Sequence, residues 1–227
     1  MLKLEHLAWD LPDREGIIKD LDLTVEDGKL VVVTGPNGGK TTLAKLIAGL
    51  ENPSRGRIFF DGRDITQMDV TERARSGIAY AFQQPVRFKG LTVRDILELA
   101  AGGSLEEVEL CGLLGKVGLC ASEYMDRELT AALSGGEIKR IEIATVLARK
   151  GKLSIFDEPE AGIDLWSFSR LVETFEDLRR QGSGTLLVIS HQERILSIAD
   201  EIVVIADGRV KASGPREEIL PTLLADE

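Results

Sequence analysis

A chain of 227 residues, 43% hydrophobic and 29% charged, has the make-up of a globular protein that can bury one large core without staples. Its 38 acidic residues against 28 basic leave a net charge of −10, which disfavours nucleic acid and an anionic membrane surface as partners. No apolar run reaches the roughly 18 residues that span a bilayer, and the opening Met1-Leu2-Lys3-Leu4-Glu5 lacks a leader pattern. A cytoplasmic chain is expected, with any membrane attachment supplied by another subunit. Cys111 and Cys120 fit a reducing compartment, have no recognised metal spacing, and read as small apolar side chains in a helical stretch.

In chain order, residues 2–7 alternate apolar and polar as a half-buried strand does, with His6 an exposed polar position and Trp9 ordinary core at the strand's end. Leu21-Asp22-Leu23-Thr24-Val25 repeats the alternation, and Glu26-Asp27-Gly28-Lys29 turns it into a continuous apolar run. The opening therefore reads as an antiparallel sheet beside a buried one. Val31-Val32-Val33-Thr34-Gly35-Pro36-Asn37-Gly38-Gly39-Lys40-Thr41-Thr42 is a strand, a glycine turn and a helix start. That order suits a phosphate loop: glycines let backbone N–H groups turn inward, the helix N-terminus favours negative charge, Lys40 reaches the β/γ-phosphates and Thr41 offers a hydroxyl to Mg²⁺. The usual loop has four residues between its outer glycines, and here Gly35 and Gly39 are separated by three.

A helix over 43–50 stops at Gly49 and Asn52-Pro53, and Arg57-Ile58-Phe59-Phe60-Asp61-Gly62-Arg63 predicts a hairpin on an Asp-Gly turn. Gly77-Ile78-Ala79-Tyr80-Ala81-Phe82-Gln83 is a buried strand ending on glutamine, broken by Pro85. Over 86–133 apolar residues fall at helical spacing with no strand signal; Thr92 caps one helix, and Ala101-Gly102-Gly103-Ser104 punctuates the segment as a linker. Leu133-Ser134-Gly135-Gly136-Glu137 then heads a helix over 138–149 and offers a second anion site on a helix start.

Leu153-Ser154-Ile155-Phe156-Asp157-Glu158 is an apolar strand ending in paired carboxylates, suited to holding Mg²⁺ and to orienting or deprotonating a water. Read blandly, the pair is a helix cap. Ala161-Gly162-Ile163-Asp164 forms a loop, 168–180 a helix, and Thr185-Leu186-Leu187-Val188-Ile189-Ser190 a strand running into His191. Ligands gather at the carboxyl ends of strands in open α/β sheets, so Gln83, Asp157-Glu158 and His191 beside a phosphate loop describe one pocket.

The phosphate loop, Gln83, Leu133-Ser134-Gly135-Gly136-Glu137, Asp157-Glu158, the Asp164 loop and His191, in that order over nearly the whole chain, resemble the ABC ATPase domain. The resemblance implies an α/β fold: a P-loop core with an N-terminal antiparallel β subdomain in 1–83 and 134–227, and a small helical subdomain in 84–133. It implies ATP and Mg²⁺ as cofactors. It also implies a head-to-tail dimer, in which ATP on Gly35, Pro36, Asn37, Gly38, Gly39, Lys40, Thr41 and Thr42 of one copy is capped by Ser134, Gly135 and Gly136 of the other. By the same carry-over, Thr41 and Asp157 hold Mg²⁺, Gln83 touches metal or water, Glu158 is the base, His191 contacts the γ-phosphate and Asp164 lies at the dimer seam.

Within that superfamily, Ala81-Phe82-Gln83-Gln84-Pro85-Val86, Glu137-Ile138-Lys139-Arg140 and Ser190-His191-Gln192-Glu193-Arg194-Ile195-Leu196 are similar to the Suf-type ATPase of iron–sulfur cluster assembly. That likeness implies soluble scaffold subunits as partners. Pro159 after Glu158 is instead a transporter habit, and the alternative is the ATP-binding subunit of an ABC transporter with a membrane permease. DNA-repair members are disfavoured, since 227 residues leave no room for their extra domains.

Residues 83–94, with Arg87 and Lys89, are the expected partner contact by analogy. No aromatic stands near Pro12, where the family often stacks adenine; Trp9 is the nearest. The short loop lacks one N–H donor and about 3.5 Å of chain. It permits a non-catalytic nucleotide-sensing module, but Glu158 and His191 are intact, which favours an active enzyme.

Overall fold

The computed structural model describes every residue except 12, 13, 37, 85, 131, 183, 226 and 227. The elements run β1 (Leu2–Leu11), β2 (Arg14–Val25), β3 (Leu30–Thr34), α1 (Lys40–Ala48), β4 (Arg55–Phe60), β5 (Arg63–Asp64), α2 (Val70–Ser76) and β6 (Ile78–Ala81). Then come α3 (Val93–Ala101), α4 (Glu107–Lys116), α5 (Ala121–Tyr124), α6 (Gly135–Ala148), β7 (Leu153–Asp157), α7 (Leu165–Gln181), β8 (Thr185–Ile189), α8 (Glu193–Leu196), β9 (Glu201–Ala206), β10 (Arg209–Pro215) and α9 (Arg216–Ala225).

Two sheets form. An antiparallel one has the order β2-β1-β4-β5, and a six-stranded one has the order β10-β9-β3-β8-β7-β6. Within the larger sheet β9, β3, β8, β7 and β6 are parallel, and β10 pairs antiparallel with β9. Parallel strands covered on both faces need continuous apolar runs, and β3, β7 and β8 are buried at every position. Alternation along β3 divides the core in two. Leu30 and Val32 join the cluster under the helices of 93–148 and α7, while Val31 and Val33 join the one shared with α1 and the antiparallel sheet.

Helix α1 opens on Gly39 at φ 101° and closes on Gly49 at φ 79°, both left-handed positions where a Cβ is costly. Thr92 caps α3 in a capping box with Asp95. Over 86–133 the regular elements among the described residues are the helices α3, α4 and α5, joined by turns and irregular chain, with one isolated bridge, Thr92 to Glu128. Gly102 ends α3 in the left-handed conformation, so the glycine pair there is a helix stop.

Several local readings shift. Trp9 lies within β1, which runs on to Leu11, and packs half-buried on the core. His6 is exposed at φ 49°, where the β1 register shifts, and its Nδ1 sits 2.9 Å from Asp20. Cys111 and Cys120 are both exposed rather than packed. The glycines after Ser134 form the first turn of α6 instead of a turn before it. The gap near Pro12 falls outside the described residues.

Candidate functional site

The β3 strand delivers the phosphate loop. Gly35, at φ 113°, passes so close to β9 that a Cβ there would lie 2.2 Å from the Ile205 carbonyl oxygen. Gly39 lies against β2, where a Cβ would meet Ile18 Cδ1 at 2.6 Å and Ile17 O at 2.8 Å. Gly38 lies beside the turn at Asp207 and Gly208. The short loop is thus wedged between β2 and the β9–β10 turn. Asn37 is outside the described residues.

Lys40 is the first residue of α1 and 6% exposed. Its Nζ donates to the carbonyls of Gly35 at 2.6 Å and Pro36 at 3.2 Å, so the ammonium rests on its own loop. Burial lowers its pKa, with the charges of Glu158 and Asp157 opposing. An incoming phosphate would meet this cation where the loop already presents it.

Asp157, fully buried at the end of β7, accepts from Thr41 Oγ1 at 3.1 Å on one oxygen and from the Tyr80 hydroxyl at 3.0 Å on the other. Burial raises its pKa, and the two hydroxyls oppose that rise. The neighbouring strand β6 supplies Tyr80, which the sequence reading passed over. Its place in the alternation next to β7 was the available signal.

Glu158 follows at φ 46°, a left-handed conformation that costs a side-chain-bearing residue about 1–3 kcal/mol. Such strain persists where surrounding structure enforces it: the Glu158 N–H continues the ladder to Ile189 O at 3.0 Å, and its carboxylate accepts from Gln83 Nε2 at 2.6 Å. His191, just past β8, sits with Nδ1 3.4 Å from Thr34 Oγ1. Desolvation, and next the Lys40 cation, lower its pKa, so the ring is neutral at pH 7. Beside it, Ser190 Oγ donates to Glu160 at 2.6 Å and fixes the chain that leads to Asp164.

Lys40, Thr41, Gln83, Asp157, Glu158 and His191 therefore converge at the carboxyl ends of β3, β6, β7 and β8. Thr42 follows in α1. Ser134, Gly135 and Gly136 belong to another element, the start of α6. Ser134 caps α6 in a capping box with Glu137, whose carboxylate is held down at about 2 by the Tyr124 hydroxyl and by Ser134. A Cβ on Gly136 would meet Gly162 O at 2.6 Å, so this turn leans on the loop of Asp164. Asp164 itself caps α7, accepting from the N–H groups of Trp166 at 3.1 Å and Ser167 at 3.0 Å.

Hard oxygen donors on a buried carboxylate and an adjacent hydroxyl fit Mg²⁺, and Thr41 and Asp157 are the residues that would hold it.

The family model for the ABC transporter matches residues 18–161. The chain belongs to the ABC transporter family. It is 40% identical over 228 residues to an uncharacterized ABC transporter ATP-binding protein of Methanocaldococcus jannaschii, covering 96% of this chain and 90% of that one. The lipopolysaccharide export system ATP-binding protein LptB of Acidithiobacillus ferridurans is 35% identical over 213 residues, covering 91% and 87%. A solved ATP-binding cassette, dimeric and bound to ADP and Pi, superposes with a TM-score of 0.84 at 23% identity, covering 95% and 99%, a likeness of fold. The chain is thus an ABC-type ATPase subunit that binds ATP, with the α/β fold the motifs implied. No helix among the described residues is long and apolar enough to cross a membrane.

Proposed function

We propose that this chain is the ATP-hydrolysing subunit of an ABC transporter, working at the cytoplasmic face of a membrane permease as a dimer of two copies. The relatives reported above carry transporter names, which supports the permease over the Suf-type scaffold, for which they offer no support. Residues 84–133 act as the helical subdomain, with 83–94 as the surface that meets the partner, and 1–83 with 134–227 as the catalytic core.

The observation that carries the reading is the pairing of Gln83 with Glu158 at 2.6 Å beside the Thr41–Asp157 contact, at the mouth of the loop that holds Lys40. In this reading the backbone of Gly35 to Gly39, with Lys40 and Thr42, binds the phosphates. Thr41 and Asp157 hold Mg²⁺, which when bound spreads the charge of the phosphates. Gln83, which would also contact the metal, orients the Glu158 carboxylate, which lines up a water and takes its proton. Neutral His191 donates to the terminal phosphate.

In this reading a second copy brings its Ser134, Gly135 and Gly136, at the start of α6, to the nucleotide. The dimeric cassette with a matching fold supports that arrangement. Catalysis is then positioning and electrostatic stabilisation, completed when the two copies close.

Mg-ATP binding by the Glu158→Gln variant, followed by sedimentation, tests the proposal. Binding with formation of a dimer, and turnover at least about 100-fold below the unsubstituted chain, is expected. The wedged loop and the resting place of Lys40 favour one rival, a nucleotide-sensing module without catalysis. Turnover unaffected by Glu158→Gln, or no binding at millimolar ATP, would sink the enzyme reading in this site.

A further inference from the structure

One buried cation has no part in the reading above. Lys139, on α6, is 1% exposed, and an ammonium is costly to hold in a protein interior unless its donors are met. Its Nζ makes a short contact with the Phe82 carbonyl and lies 3.4 Å from the carbonyls of both Gln83 and Asp157. Glu142, one turn further along the helix, is its counter-ion at 3.6 Å. The other Glu142 oxygen accepts the Phe82 N–H at 2.9 Å.

Together the pair grips the N–H and C=O of Phe82, the C=O of Gln83 and the C=O of Asp157. Phe82 and Gln83 directly follow β6 and carry the amide bonded to Glu158, and Asp157 is the residue before Glu158. Packing alone does not call for this. A buried ion pair is often replaced by apolar residues with no loss of stability, so a lysine spread over carbonyls from two strand ends has another use.

We infer that Lys139 is a positioning residue: by holding the carbonyls of Phe82, Gln83 and Asp157 together, it fixes the Gln83 amide against Glu158 and ties both to the helix that begins at Ser134. The inference rests on the roles proposed for Gln83 and Glu158. It makes the two strand ends and α6 one mechanical unit. A displacement of Ser134 and its glycines, as a second copy docks there, is passed to the Gln83–Glu158 contact through one side chain.

The test measures steady-state hydrolysis and ATP binding on the full chain with Mg²⁺. Lys139→Met combined with Glu142→Gln removes the anchor, keeps an acceptor for the Phe82 N–H and leaves no lone buried carboxylate. With ATP affinity held within about threefold, kcat at saturating ATP falls about 10- to 100-fold, as expected for a displacement near 1 Å at the reacting groups. Lys139→Arg, which keeps the cation, recovers part of that rate.

A lowered Tm with kcat unchanged would show a structural lysine and overturn the inference, as would weakened ATP binding with kcat unchanged. Should the double variant not fold, Lys139→Gln, shorter and neutral, is read by the same split. Glu158→Gln separates the two claims. If it abolishes turnover while the Lys139 variants keep full kcat, the lysine's role alone is refuted; if it leaves turnover intact, the base assignment and this inference fall together.

Discussion

Arg73 shows how one buried side chain supports the site from behind. It is fully buried, and its guanidinium donates to the carbonyls of Thr66 at 2.9 Å, Met68 at 3.0 Å and Ile47 at 3.1 Å, with a shorter contact to Leu46. Two of those carbonyls close the C-terminus of α1, the helix whose other end opens the phosphate loop. An Arg73→Met chain loses these donors and leaves the carbonyls dry. It should be less stable by about 3 kcal/mol, read from urea unfolding, and a loss under about 1 kcal/mol would show that water replaces the guanidinium. The sequence gives little warning of this. Helix α2 is seven residues long with Arg73 its one buried residue, so no apolar period betrays it; the Asp69–Glu72 capping box was the readable sign.

At the scale of elements, the segment from β3 through the loop to α1 was the most legible part of the chain. An apolar run buried on both faces, glycines at left-handed positions and a helix opening on Lys40 each follow from local chemistry. Gln83, Glu158 and His191 were legible because each ends or follows an apolar strand, and the parallel register brings those ends together. Tyr80, Lys139 and Glu142 were not. Apart from the Lys139–Glu142 pair within α6, their partners are a carboxylate or backbone groups on other elements, and no spacing along the chain encodes those contacts. The loop's missing residue was visible at once, whereas the wedge between β2 and the β9–β10 turn needed the fold. Inserting one glycine between Gly38 and Gly39 restores an N–H donor. ATP should bind about 10- to 100-fold more tightly, by calorimetry, as one added charge-assisted hydrogen bond predicts. Unchanged affinity would mean that the short loop already meets the phosphates in full.

For the molecule as a whole, charge opposes the proposed assembly. Each copy carries a net charge of −10, and two copies brought together around ATP repel at long range. Raising ionic strength from about 0.01 M to 0.15 M shortens the screening length from about 30 Å to about 8 Å, so the ATP-dependent dimer should tighten with salt in sedimentation experiments. Weakening instead would mean that direct ion pairs across the seam outweigh the net repulsion.

The order of the six-stranded sheet has a consequence in time. β3 leaves the ribosome well before β8 and β9, the two strands that flank it in the sheet. At the about 5–20 residues added per second during synthesis, the loop leading into Lys40 waits several seconds or more for the two strands that hold it. A nascent chain therefore carries the phosphate-loop sequence long before it carries the site, and nucleotide capture waits until β8 and β9 have been made.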